Sequence, residues 1–235
     1  MFQFFHVILT RPFLNILIWF YEIIPGHDMG LAIIALTLVT RLLLFPSFQK
    51  SLRAQKDLQK LQPKLDEIKQ KYKDNKEAQT KAIMEVYKEH KINPLSSCLP
   101  LLIQLPILIA LYGAFNSGLG GRLAGELYSF IPDPGKINDT FLGLFRLSVP
   151  NITLAILAGV FQFVQSKMIT PKKTPGADKT AGIMNAQILY FMPLFTVLIA
   201  WRLPAGLSLY WVVTTLFAIG QQYYIIRRDK ALKPA

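Results

Sequence analysis

Cysteine is almost absent from this 235-residue chain: Cys98 stands alone, which excludes an intrachain disulfide and any metal site built on paired cysteines. Histidine is scarce as well. His6, His27 and His90 lie far apart with no ligand spacing between them, so no metal is expected. Charged residues make up 17% of the chain against 52% hydrophobic, with a mean hydropathy of +0.34, a balance foreign to a soluble domain. No glycine-rich phosphate loop, His-Glu metal motif or Ser/His/Asp set is found. Ser166 and Ser208 sit in apolar runs and read as helix-packing residues. Catalysis, nucleotide use, a cofactor and a small-molecule substrate are therefore not expected, and no repeat or low-complexity tract is present.

What the chain does have is apolar runs of about bilayer length, near 20 residues each. They predict an all-α integral membrane protein with five transmembrane helices: 28–48, 96–117, 151–168, and a fourth and fifth within 186–226. Several prolines fall inside these runs, where neighbouring helices can satisfy the freed backbone groups. Residues 118–150 are then an outside loop and 169–185 a cytoplasmic one. Residues 1–27 are apolar but lack both the early charge and the cleavage pattern of a signal peptide. Arg11, Asn15 and Glu22 fall within about 40° on a helical wheel. That stripe predicts an amphipathic helix lying in the outer interface, with Trp19 and Tyr21 at headgroup depth. A spanning helix is the alternative, and it would move the N-terminus inside.

Between the first two spans, 49–95 has a different character. Leu58, Leu61, Leu65, Ile68 and Tyr72 recur at helical spacing; a turn is expected at 73–76, and Ile83, Val86, Tyr87 and His90 repeat the stripe until Asn93-Pro94. This predicts a helical hairpin, with a kink or a fresh start at Pro63.

The net charge of +12 would point to nucleic acid in a soluble protein, but here the basic residues sit between apolar runs. Loop 46–95 carries 12 Lys and Arg, loop 167–185 four, and the basic tail 227–235 four. The other side carries only Arg11, Arg122, Lys136 and Arg146. The positive-inside rule then puts the N-terminus outside and the hairpin and tail in the cytoplasm, against anionic lipid.

Arg41 breaks the pattern. An arginine near the centre of a spanning helix costs roughly 2.5–3.5 kcal/mol on insertion scales, so it needs a reason. By spacing alone two readings stand level. It could snorkel toward Pro46, or it could serve a polar interior. No Asp or Glu lies within the apolar stretches 29–47, 97–116, 151–168, 186–202 and 206–226 to pair with it. Thr37, Thr40, Gln104, Gln162, Gln165, Thr196, Thr214, Thr215, Gln221 and Gln222 share the spans with it. Each alone is readily an interhelical hydrogen bonder; together with an unpaired cation they point to a hydrated cavity.

The stretches VTRLLLFPSFQKS (39–51), LQKLQPKLDEIKQKY (58–72), YKEHKINPLSSCLPLLIQLPILIALY (87–112) and LPAGLSLYWVVTTLFAIGQQ (203–222) resemble the YidC/Oxa/Alb insertase family, over roughly residues 10–228. The similarity is to a short form without the large extracytoplasmic domain. It implies a five-helix insertase core in a bacterial plasma membrane, and a protein transport and chaperone role without nucleotide hydrolysis. It also implies a cytoplasm-open substrate groove formed by Arg41, Thr37, Thr40, Gln104, Gln162, Gln165, Tyr210, Trp211, Thr214, Thr215 and Gln221. Thr215 stands where the family commonly has Asn. The implied partners are newly made membrane proteins and lipids, with the ribosome and the Sec translocon as further candidates. A small transporter and a scaffold using the hairpin are the competing classes; the first predicts inverted repeats, and none is seen.

Overall fold

The computed structural model describes residues 2–93, 99–118, 123, 125–170 and 186–231. Cys98, Arg122, the Pro94–Ser97 part of the INPLSSCLP motif, most of the 169–185 loop and Lys233 lie outside them. The described chain is overwhelmingly helical: α1 (Phe2–Phe5), α2 (Arg11–Ile23), α3 (Met29–Leu43), α4 (Phe45–Lys71), α5 (Lys76–Glu89), α6 (Leu99–Gly118), α7 (Ile152–Ile169), α8 (Met192–Ala200) and α9 (Ala205–Ala231).

Local chemistry sets these boundaries. Asp28, Asn75 and Asn151 cap α3, α5 and α7, each side chain accepting from an N–H three residues on and so satisfying a donor the helix cannot. Two π turns, His6–Thr10 and Gln187–Phe191, run straight into α2 and α8. Each ends one residue short of an Xaa-Pro step, at Arg11-Pro12 and Met192-Pro193. A proline ring collides with the carbonyl four residues back. The wider turn removes that collision, with Arg11 N–H bonded to the His6 carbonyl and Met192 N–H to that of Gln187. At Pro63 there is no fresh start: α4 continues through it to Lys71.

Among the described residues, Gln3–Ile23 and Ile152–Ile169 are long and apolar enough to cross a membrane, and α3 with α4 adds a third candidate bent by 64°. Leu102–Ser117 and Gln187–Ala200 are shorter apolar helices. The bend falls at Leu44, and α4 starts there because Pro46 is tolerated in a first turn. The main core joins Leu14, Leu17 and Ile18 of α2 to Met29 and Ile33 of α3, Leu111 and Phe115 of α6, and Leu207 of α9. Outward, Ile156 and Val160 of α7 and Leu194 and Leu198 of α8 are half-exposed and form an apolar outer face.

The N-terminal helix differs in detail from the amphipathic stripe read in the sequence. Asn15 is 1% exposed. It donates to the carbonyls of Arg11 and Glu126 and accepts from Tyr128 N–H, while Arg11 donates to Glu126. Tyr21 is buried too, its hydroxyl accepting from Asn138 N–H. Arg11, Asn15 and Tyr21 of α2 thus hold the 125–138 segment. Trp19 does remain half-exposed. Beyond that segment, β1 (Thr140–Phe141) and β2 (Phe145–Arg146) pair antiparallel. Phe141 packs flat on Gly30, where a Cβ would come within 2.0 Å of its ring.

A second, small core holds the far half of α4 to α5 through Leu61, Leu65 and Val86. Gln79 bonds the Lys69 carbonyl and Lys64 pairs with Glu89, so the two helices run antiparallel.

Candidate functional site

Four helices converge on Arg41. It sits in the last turn of α3 and is 7% exposed. Its Nη2 donates to Gln104 Oε1 of α6 at 3.0 Å. Gln104 Nε2 in turn donates to the Tyr210 hydroxyl of α9 at 2.6 Å. From the α4 side, the Phe48 ring lies under the guanidinium, 4.4 Å from Cζ to the ring centroid, a cation–π contact. The side chain therefore bends back toward the C-terminal end of its own helix, as snorkelling would require, but stops inside the protein. Among the described residues no carboxylate lies within ion-pair distance of it.

Arg41 and Gln104 border two adjoining spaces. The smaller is edged by Thr37, Thr40, Phe48 and Tyr210. Its threonines add little polarity, because Thr37 and Thr40 donate their hydroxyls to Ile33 and Leu36 one turn back. The larger is a partly open cavity of about 250 Å³, far more than the ~10–15 Å³ that one water needs. Gln162 and Gln165 of α7 face Trp211, Thr214, Thr215 and Gln221 of α9 across it. All eleven residues singled out in the sequence thus lie around these two spaces. Not all of them offer a free group. The Thr215 hydroxyl is bound to the Trp211 carbonyl, and Gln221 donates to the Phe45 carbonyl at 3.2 Å, which ties α9 to the start of α4.

Sequence reasoning missed Phe48, Leu52 and Gln55 of α4, Ala218 of α9 and Ile169 of α7, and it counted Gln222 among the polar residues of the spans without placing it in the groove. A signal existed for most of them. Phe48, Leu52 and Gln55 follow the i, i+4, i+7 spacing of one helix face, and so do Trp211, Thr215, Ala218 and Gln222. Gln222 is 4% exposed, and neither its Nε2 nor its Oε1 has a hydrogen-bond partner among the described residues. No group of His, Cys, Asp or Glu that could hold a metal occurs among the described residues.

The arrangement is a polar recess carrying a single positive charge, set among apolar helices. It can bind, orient and solvate polar groups. Comparison with known proteins gives it a context. Residues 19–232 match the family model described as 60Kd inner membrane protein. A protein of Pelobacter propionicus named membrane protein insertase YidC is 37% identical over 93% of this chain and 38% of its own length. A namesake from Fusobacterium nucleatum is 35% identical over 86% of this chain and 87% of its own length. The chain therefore spans well under half of the first relative and most of the second. A crystal structure described as an active YidC insertase with its first transmembrane domain resolved matches 88% of this chain and 43% of that one, with a TM-score of 0.59 and 28% identity.

Proposed function

The chain belongs to the 60Kd inner membrane protein family, which includes the YidC insertases, and from that footing we propose that it is itself a membrane protein insertase. Its substrates are newly made membrane proteins. A short polar segment that must cross hydrocarbon loses hydrogen bonds worth several kcal/mol per group. The recess around Arg41, open to the cytoplasm and holding water, shortens that barrier. Arg41 attracts acidic residues of the arriving tail, and the substrate's apolar segment leaves past α7 and α9 into lipid. Burial of that segment supplies the free energy, so no nucleotide is consumed.

The rest of the chain serves the same task. With the N-terminus outside and the C-terminus in the cytoplasm, the α4–α5 pair projects toward arriving substrate and captures it. The basic tail and loops lie against anionic lipid, where a ribosome or a Sec translocon could also be met. Five transmembrane helices form the core, α2 lies along its outer face, and α4–α5 forms the cytoplasmic hairpin.

One observation carries this reading: a buried arginine with no carboxylate partner among the described residues, bordering a polar cavity, in a chain of this family. Cell-free synthesis of a small one-span protein with an acidic tail tests it, using liposomes with and without the purified protein. Protease protection of the tail should rise with the protein present. Protection no better than in empty liposomes would end the reading.

A further inference from the structure

Buried amides without partners are uncommon, since folded proteins satisfy the large majority of their buried polar atoms. Gln222 is therefore informative: it is 4% exposed, both polar atoms of its side chain lack a protein partner among the described residues, and it borders the cavity. It is not isolated in kind. Gln55 of α4, Gln104 of α6, Gln162 and Gln165 of α7, and Gln221 beside it all border the same space, so every helix around the cavity except α3, which supplies Arg41, contributes at least one primary amide. Among the described residues the only charge there is Arg41, and the apolar side chains of Phe48, Leu52, Ile169 and Trp211 complete the lining. A site built to select anions would multiply cations.

A primary amide has both a carbonyl acceptor and an N–H donor. That is the same pair a peptide unit presents. Resting on the insertase reading above, we propose that this glutamine-lined cavity recognises the main chain of an extended polypeptide segment, with side-chain amides pairing to substrate peptide groups. Gln222 and the α7 glutamines carry the recognition. Gln104 and Gln221 are already engaged with Arg41, Tyr210 and the Phe45 carbonyl, and serve as fixed walls. Neutral amides bind any sequence alike, whereas Arg41 adds a preference for acidic tails. A helical segment hides its peptide groups in its own hydrogen bonds, so the cavity takes the chain unfolded.

Backbone esters test this, because an ester linkage removes one N–H donor and weakens the adjoining acceptor while leaving every side chain unchanged. The sign of the effect decides. If the cavity contributes only water, each ester lowers the cost of dehydrating the tail, and insertion runs equally fast or faster. If glutamines hold the main chain, each ester within the translocated tail slows insertion by roughly two- to tenfold, the worth of one hydrogen bond. The measurement is protease protection of an ester-scanned, otherwise identical tail in proteoliposomes. Gln222→Leu and, separately, Gln162→Leu should remove the ester penalty while retaining insertion of the all-amide tail at a reduced rate. Gln162 is only half-buried, so its variant stands in if the first fails to fold. Wild-type insertion with no ester penalty overturns the proposal and leaves the insertase reading standing; no insertion of any tail overturns the insertase reading itself.

Discussion

The guanidinium carbon of Arg41 lies 4.4 Å from the centre of the Phe48 ring, so the charge of one helix rests on the first turn of the next. A contact of this type is worth about 0.5–1 kcal/mol when exposed and ~2 kcal/mol or more when desolvated, and both side chains here are buried. Phe48→Leu keeps the bulk and removes the ring face. It should slow insertion of acidic-tailed substrates roughly five- to thirtyfold and spare neutral tails. Complementation of an insertase-depleted bacterium should fail with Arg41→Ala and succeed with Arg41→Lys. Equal loss for acidic and neutral tails with Phe48→Leu would detach the ring from the charge.

Gln104 separates charge placement from stability. Gln104→Leu strips a partner from both Arg41 and Tyr210, and an orphaned buried group costs about 1–3 kcal/mol. Its unfolding temperature in detergent should drop. Gln104→Glu supplies a carboxylate at the same place, so it should hold the fold while neutralising Arg41 and depressing insertion of acidic tails. If the Glu variant inserts such tails at the wild-type rate, the free charge of Arg41 is not what attracts them.

Gly159 marks the closest approach of α7 to α8. A Cβ there would stand 2.2 Å from Val197 Cγ2 and 3.1 Å from the Pro193 carbonyl. Gly159→Ala should destabilise by about 1–3 kcal/mol through overpacking. Adding Val197→Ala should recover most of the loss, and a double-mutant cycle in denaturant measures the coupling. Additive losses would mean that the helices part instead of clashing.

Asp139 gives the outer segment a pH dependence. Burial works against its ionisation, but the Ser148 hydroxyl bonded to it and the charge of Arg146 outweigh that and hold the carboxyl below its ordinary value. A lowered folded-state pKa stabilises fully above the unfolded value, about 3.9, and that stability fades as pH falls through the folded value. The difference in unfolding temperature between wild type and Asp139→Asn should therefore be flat from pH 7 to about pH 5. Below that range it should shrink. A gap that widened in acid would contradict the sign.

Much of this architecture was legible because membrane helices announce themselves by composition and by caps such as Asp28 and Asn151. Nine of the eleven groove positions could be picked out because a Thr, Gln or Arg among Leu and Ile is conspicuous; Tyr210 and Trp211 came only with the family motifs. Phe48 and Leu52 were hidden for the opposite reason: apolar residues at the edge of a span look like ordinary packing. The contacts of Asn15 and Tyr21 were not legible because a polar stripe looks the same whether it meets headgroups or a folded loop, and the partner segment at 125–138 is remote in sequence. The turn at Leu44 was equally invisible, since Pro46 marks a boundary without giving an angle.

That turn makes α4 a lever. At 1.5 Å per residue its 27 residues reach about 40 Å from Leu44, whereas Phe48 sits only about 6 Å from the pivot. Tilting the rod by about 5° would sweep its far end by about 3.5 Å and shift the ring beneath Arg41 by about half an ångström. Force travels the other way. A pull exerted where α4 meets α5 arrives at Phe48 multiplied about sevenfold, so even a weak tug on the distal pair would be felt as a firm push beside the buried charge.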